Sequence, residues 1–398
     1  MRPHPVRLLV LLATVGLVAA GCSSSSGGST SASTSTSGSS PTVASSPAPS
    51  SASGTGLTPY AKRGPFAVGS IRLALADGRT VVVWYPADPA KAKGTPTENF
   101  DIASLLRPDL QAKIPAAERP PFPIDDHPGA APATGRFPVV LFSHGYGGFP
   151  EQSASLTTHI ASWGFVVAAP DHVERSLSGL LGTAAQGVAK QTDSQVLSAT
   201  LKLVLADGAR ASSPLKGLPI ADEVAVIGHS SGASAAYELA ATDPVIKSFI
   251  AYAIEEPKGG PVPKVPGMVM TGTTDGVIPP AHDRTVFAGM ATPKYYVTIA
   301  RSGHLVFSDI CLIGRSGGGI VAIGKRLGLP IAMFEKLGTD GCKPPVDLKP
   351  EEAFPAIDDL SVDFLRTTLG VQARPTGLDD PTIARRFTTA TVTVTADR

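Results

Sequence analysis

The chain has no excess of charge. Against 34 Lys and Arg stand 33 Asp and Glu, a formal net charge of +1, which gives no electrostatic basis for binding nucleic acid. Charge of either sign is sparse, at 17% of the 398 residues. Cysteine is sparser still. There are three, none with a second ligand in CxxC or CxH spacing, so no thiolate metal site is expected. The apolar run Leu8 to Ala20 is too short to span a bilayer. No repeat of fixed period is visible. What is present instead is 41 Gly, 37 Pro and 42% hydrophobic residues. That reads as a turn-rich chain with enough apolar material for a sizeable core, in one large α/β domain or two small ones.

Arg2 and Arg7 precede the apolar run, which ends in Val18-Ala19-Ala20-Gly21-Cys22. Small residues before a Cys resemble a bacterial lipobox, in which the Cys becomes the lipidated first residue. Residues 1–21 are then a lipoprotein signal peptide, and a lipid on Cys22 ties the protein to the outer face of a cell membrane without a spanning helix. The alternative is an ordinary cleaved signal with a Cys that happens to follow it. Residues 22–57 are almost entirely Ser, Thr, Gly, Ala and Pro, a tether that cannot bury a core. In an oxidising compartment Cys311 and Cys342 are expected to form a disulfide, worth about 3–4 kcal/mol through loop closure; two buried thiols are the alternative.

The body reads as residues 58–370. Ile71, Leu73 and Leu75 alternate, Asp77-Gly78 is a hairpin turn, and Thr80 to Tyr85 follows as a second strand. Residues 86–136, rich in Pro and charge with weak helical pieces, read as a long surface connection. Strands are then expected at 138–142, 165–169, 223–227, 249–253, 268–272 and 295–300. Helices are expected at 151–163, 193–205, 231–241, 281–290 and 351–369. This alternation predicts an α/β fold of the α/β-hydrolase kind, a mostly parallel sheet with helices on both faces and an N-terminal antiparallel hairpin. Residues 310–349 interrupt its end as an insertion. The tail 371–398 either adds a strand at Thr388–Thr395 or stays disordered.

Gly228-His229-Ser230-Ser231-Gly232 matches G-x-S-x-G, and so does Gly314-Arg315-Ser316-Gly317-Gly318. The motif alone is weak, since composition gives roughly 0.4 chance matches. Context separates the two. A nucleophilic serine of this type sits on a sharp turn between a buried strand and a helix. Val224 to Ile227 precedes Ser230, and an Ala-rich helix follows it. Ser316 has no extended strand before it and no His after it. The expected order Ser, acid, His then selects His304, which follows the strand at 295–300, over His282 at the start of a helix. Asp275, after the strand 268–272, is the expected acid, ahead of Asp243 and Asp283. For a developing oxyanion the donors are the N–H of Ser231 and one from the loop Phe142 to Gly148. Tyr146 is assigned there, with Gly145 and Gly147 as alternatives. His144, His159, His172 and His229 read as packing or network residues.

Several of these residues form a wider pattern. Leu141-Phe142-Ser143-His144-Gly145 with Gly147 and Phe149, Ala161-Ser162, Gly164-Phe165, Val167-Ala168-Ala169, His172 and Arg175-Ser176 resemble the secreted-type platelet-activating-factor acetylhydrolases. So do Arg301, Ser302, His304, Phe307, Ser308 and Asp309, and the resemblance spans about residues 60–370. Gly64 to Val68 and Tyr85-Pro86 are similar to bacterial cutinases and dienelactone-hydrolase-like proteins. Both resemblances imply an α/β-hydrolase with a Ser–His–Asp mechanism using no metal or cofactor, at Ser230, His304 and Asp275 with donors Tyr146 and Ser231. Departures are present. Ser231 replaces the Phe or Met of those families, and Tyr252 to Glu255 replaces a Pro-Trp pair of the cutinases. The expected function is a carboxylic-ester hydrolase acting on small-molecule or lipid esters, as a monomer, with short-acyl phospholipids among the candidates. Polyester hydrolysis, acyl transfer, peptide hydrolysis and a non-catalytic surface lipoprotein are the alternatives.

Overall fold

Buried parallel strands need apolar residues on both sides, and the sequence supplies them in short runs. The computed structural model describes residues 58–119 and 121–398; the leader, Cys22 and the tether lie outside the described residues. Its twelve strands are β1 (Ala67–Ala74), β2 (Thr80–Ala87), β3 (Glu98–Phe100), β4 (Phe122–Ile124), β5 (His127–Pro128), β6 (Phe137–Ser143), β7 (Val166–Pro170), β8 (Pro219–His229), β9 (Ile246–Tyr252), β10 (Gly267–Gly272), β11 (Lys294–Ile299) and β12 (Val392–Asp397). Ten of them form one sheet in the order β12-β11-β10-β9-β8-β6-β7-β2-β1-β5. From β7 through β11 every pairing is parallel. The hairpin β1–β2 joins antiparallel through β2 and β7.

Period-two alternation sorts the core into two faces. Val140, Phe142, Ile227 and Ile250 face the side covered by the helices Ala154–Ser162 and Pro350–Thr368. Val139, Leu141, Val226 and Phe249 face the helices Asp193–Gly208 and Ser231–Thr242. The α/β-hydrolase architecture read from the sequence is the one present.

Three regions differ from, or add to, the sequence reading. Residues 86–136 are not a surface connection. The hairpin β3–β4 buries Phe100, Phe122 and Ile124 against Phe149 and Ile313, and Ala103, Leu106, Leu110 and Ile114 pack with Leu181 and Phe334. Ala103, Leu106, Leu110 and Ile114 do recur at helical spacing, but Pro108 and Pro115 cut the run into short pieces, so the pattern reads only as weak helix. The tail supplies β12, which pairs antiparallel with β11, and Leu378, Ile383 and Phe387 join the core. Within 310–349 lies the helix Ile320–Arg326, and Cys311 and Cys342 are joined in a disulfide. Among the described residues no helix is long and apolar enough to cross a membrane.

Candidate active site

Strand β8 ends at His229, and Ser230 turns the chain into the helix Ser231–Thr242 with φ 58° and ψ −123°. A non-glycine residue at positive φ is strained, and surrounding contacts must hold it there. The Ser230 N–H donates to the Tyr252 carbonyl at 2.9 Å. The flanking glycines are required by space. A Cβ on Gly228 would lie 2.1 Å from the Gly232 carbonyl oxygen, and one on Gly232 would lie 1.9 Å from that of Ser143. Ser316, by contrast, is exposed on the short turn Arg315–Gly317.

Asp275 follows β10 and His304 follows β11. One Asp275 oxygen accepts the N–H groups of Val277 and Ile278, both at 2.8 Å. The other meets His304 Nδ1 at 2.8 Å. An ionised carboxylate only accepts, so Nδ1 carries the proton and Nε2 is left as the basic nitrogen. Both side chains are almost fully buried. His304 and Ser230 line the same cleft. The alternatives lie elsewhere: His282 sits 3.2 Å from Glu255, Asp283 accepts from the Ile254 N–H and the Thr271 hydroxyl, and Asp243 caps its own turn through the Val245 N–H.

The loop after β6 offers three neighbouring N–H groups, and two are claimed. Gly145 donates to Gln152 Oε1 at 2.9 Å and Gly147 to the Arg175 carbonyl at 2.7 Å. Tyr146 is the one left unclaimed, while Ser231 opens a helix, where the first N–H groups have no partner a turn back. Arg175 holds this loop from beneath. Its buried guanidinium donates to the carbonyls of His144 and Gly145 and to Ser143 Oγ, and it pairs with Asp193 at 3.2 Å. Burial draws the Arg175 pKa down, opposed by Asp193.

A second chain of bonds links the oxyanion side to the base side. Gln152 Nε2 donates to His229 Nδ1 at 2.9 Å, and His229 Nε2 donates to the His304 carbonyl at 3.0 Å. Burial holds His229 well below the usual histidine range, so it stays neutral and can do both. Sequence reasoning gave His229 only a network role and missed Gln152; nothing local marks that glutamine.

Above the serine lies a cleft of about 1110 Å³, counted to its open mouth. One wall comes from residues 101–119 and the roof from 310–338, with Ile102, Leu106, Ile114, Ile323, Ile331 and Phe334 among the lining side chains. The charged lining residues Asp101, Glu118 and Arg119 are half-buried. All three are engaged: Glu118 pairs with Arg326 at 2.6 Å, Arg119 donates to the carbonyls of Gln111 and Ile114, and Asp101 accepts the Ala103 N–H at 2.9 Å and pairs with Arg119 at 3.6 Å. Among the described residues no group of three or more His, Cys, Asp and Glu side chains is placed to hold a metal ion.

Residues 118–253, about a third of the chain, match the family model described as Chlorophyllase. The match takes in the loop after β6 and Ser230 and stops before Asp275 and His304. No curated protein matches the chain. Among solved structures, a ferulic acid esterase from Streptomyces cinnamoneus aligns with a TM-score of 0.52 at 20% identity, covering 85% of this chain and 97% of that one. At that identity the likeness speaks for the fold, which many chemistries share. The chain has the α/β-hydrolase fold, and its residues 118–253 are similar to the Chlorophyllase family.

Proposed function

We propose that the protein is a serine carboxylic-ester hydrolase in which Ser230 is the nucleophile, His304 the general base and Asp275 its orienting acid. The observation that carries this reading is one cleft lined by the strained Ser230 and by a His304 whose Nδ1 is tied to Asp275. Ser230 Oγ attacks the ester carbonyl while His304 Nε2 takes its proton, and Asp275 stabilises the imidazolium. The N–H groups of Tyr146 and Ser231 receive the developing oxyanion. Collapse of the intermediate expels the alcohol, which leaves with the proton from His304. Water then enters by the same route and frees the acid.

The apolar lining favours an ester with an apolar acyl or alcohol group. A short-acyl phospholipid is the first lipid to test. The decisive experiment is Ser230→Ala, expected to abolish p-nitrophenyl butyrate hydrolysis and labelling by a fluorophosphonate; retained activity would sink the assignment. We further propose that the domain works outside the cell, held at a membrane by a lipid on Cys22. The apolar run Leu8 to Ala20, the tether 22–57 and the disulfide support this. Cys22→Ser should move the protein from the membrane fraction to the soluble one.

A further inference from the structure

The insertion 310–349 reaches the reacting residues through Asp340. One Asp340 oxygen accepts the His304 N–H at 2.6 Å and the Gly276 N–H at 3.3 Å, and the other accepts Gly276 at 3.2 Å. The Asp340 carbonyl takes the Leu305 N–H at 3.1 Å. One residue thus gathers donors from the turn that carries Asp275 and from the loop that carries His304. The approach is too close for side chains. A Cβ on Gly276 would lie 2.6 Å from an Asp340 oxygen, and one on Gly303 would lie 2.5 Å from both an Asp340 oxygen and the Gly341 nitrogen. Two residues on, Cys342 is tied to Cys311.

We propose that Asp340 is a positioning residue that keeps the Asp275 turn and the His304 loop in register, so that the bond between them forms. This rests on the reading of those two residues as the acid and base. Before Asp275 the two loops are already joined, by Thr274 N–H to the Ser302 carbonyl at 3.0 Å. After it, Asp340 supplies the joint, through one short carboxylate bond to the His304 N–H and two longer ones to the Gly276 N–H. The disulfide fixes the turn that presents the carboxylate. The roof is therefore fastened to the base loop at this end.

The test uses the full chain and compares Asp340→Ala, Asp340→Asn and Asp340→Glu with wild type and Ser230→Ala. Asp340→Ala should lose about 10- to 100-fold in kcat with KM within about twofold, the scale of a misplacement near 1 Å. Asp340→Asn keeps an acceptor oxygen in place and should stay within about threefold of wild type. Asp340→Glu keeps the charge but displaces it by a methylene, and should be the poorer of the two. Should Asp340→Ala fail to accumulate, the order of Asn above Glu decides. The proposal is overturned if kcat is unchanged, if the loss falls on KM, or if Asn is no better than Glu. An active Ser230→Ala would instead remove the underlying reading, whereas an inactive one beside wild-type-like Asp340 variants removes this proposal alone.

Discussion

The floor and the roof of the cleft are built by different means. The floor residues Tyr146, Ser230, Asp275 and His304 stand on turns leaving β6, β8, β10 and β11, and named hydrogen bonds fix each turn. The roof and the adjoining wall, residues 310–338 and 101–119, are short helices and turns held by apolar packing around Leu106, Leu110, Ile114 and Phe334. Hydrogen bonds set direction and distance closely, whereas packing sets volume and shape. The contrast implies that reaction and selectivity are separable here. A floor change should alter the rate for every ester, and a roof change should alter which ester is preferred.

After the abolition expected of Ser230→Ala, the largest effect on the floor is from Asp275→Asn. The amide would present a donor or a weaker acceptor to His304 Nδ1, favouring the wrong tautomer. A fall of about 10³- to 10⁴-fold in kcat follows, with the order of preference along a p-nitrophenyl ester series unchanged. A reordered series would break the separation.

On the roof, Phe334 packs over the oxyanion loop, so closely that a Cβ on Gly147 would lie 2.5 Å from its ring. Phe334→Ala should shift the ratio of kcat/KM between long and short acyl esters by about 10- to 200-fold. Labelling of Ser230 by a small fluorophosphonate should stay within about threefold of wild type, because that probe does not fill the cleft. An equal loss for all esters would show that the roof also shapes the floor.

The same division governs what the sequence made readable. The floor was legible because strand-end turns carry strict local demands. A serine at positive φ between two space-limited glycines can be recognised in five residues once the strand before it and the helix after it are seen. Asp275 and His304 follow from chain order after that. The sequence already put Tyr146 ahead of Gly145 and Gly147, but that Gln152 and Arg175 claim the N–H groups of those two neighbours is visible only in the structure. The roof was opaque. Leu106, Leu110 and Ile114 are separated from their partners Leu181 and Phe334 by long stretches of chain, and their helical spacing, broken by Pro108 and Pro115, does not say what they pack against. Asp340 was missed for the same reason, since its partners Gly276 and His304 are distant in sequence.

The smallest effect concerns a carboxyl beneath the floor. Asp283 is buried on the helix Pro280–Gly289, bonded to the Ile254 N–H at 2.9 Å and to the Thr271 hydroxyl at 2.7 Å. Burial pushes its pKa up to about 7 from an ordinary 3.8, against the pull of those two bonds. A carboxyl with a raised folded pKa holds its proton more tightly folded than unfolded. Its stabilising contribution is complete below about pH 4 and is lost as pH rises to about 7. Burial raises Asp359 to about 7 and Asp126 and Asp309 to about 6, with the same sign. Glu174, lowered to about 2, acts with the opposite sign and only below its ordinary 4.5. Buried His144, His159, His172 and His229 are lowered and act with the opposite sign over the same range, so the wild-type slope is the net of both sets, and the Tm of Asp283→Asn relative to wild type should rise between pH 4 and pH 7. An unchanged slope would show that Asp283 is ionised throughout. Because Asp283 has no bond to His304, kcat at a fixed pH should stay within about twofold. A larger loss would mean that the floor draws its geometry from the core below as well as from its own turns.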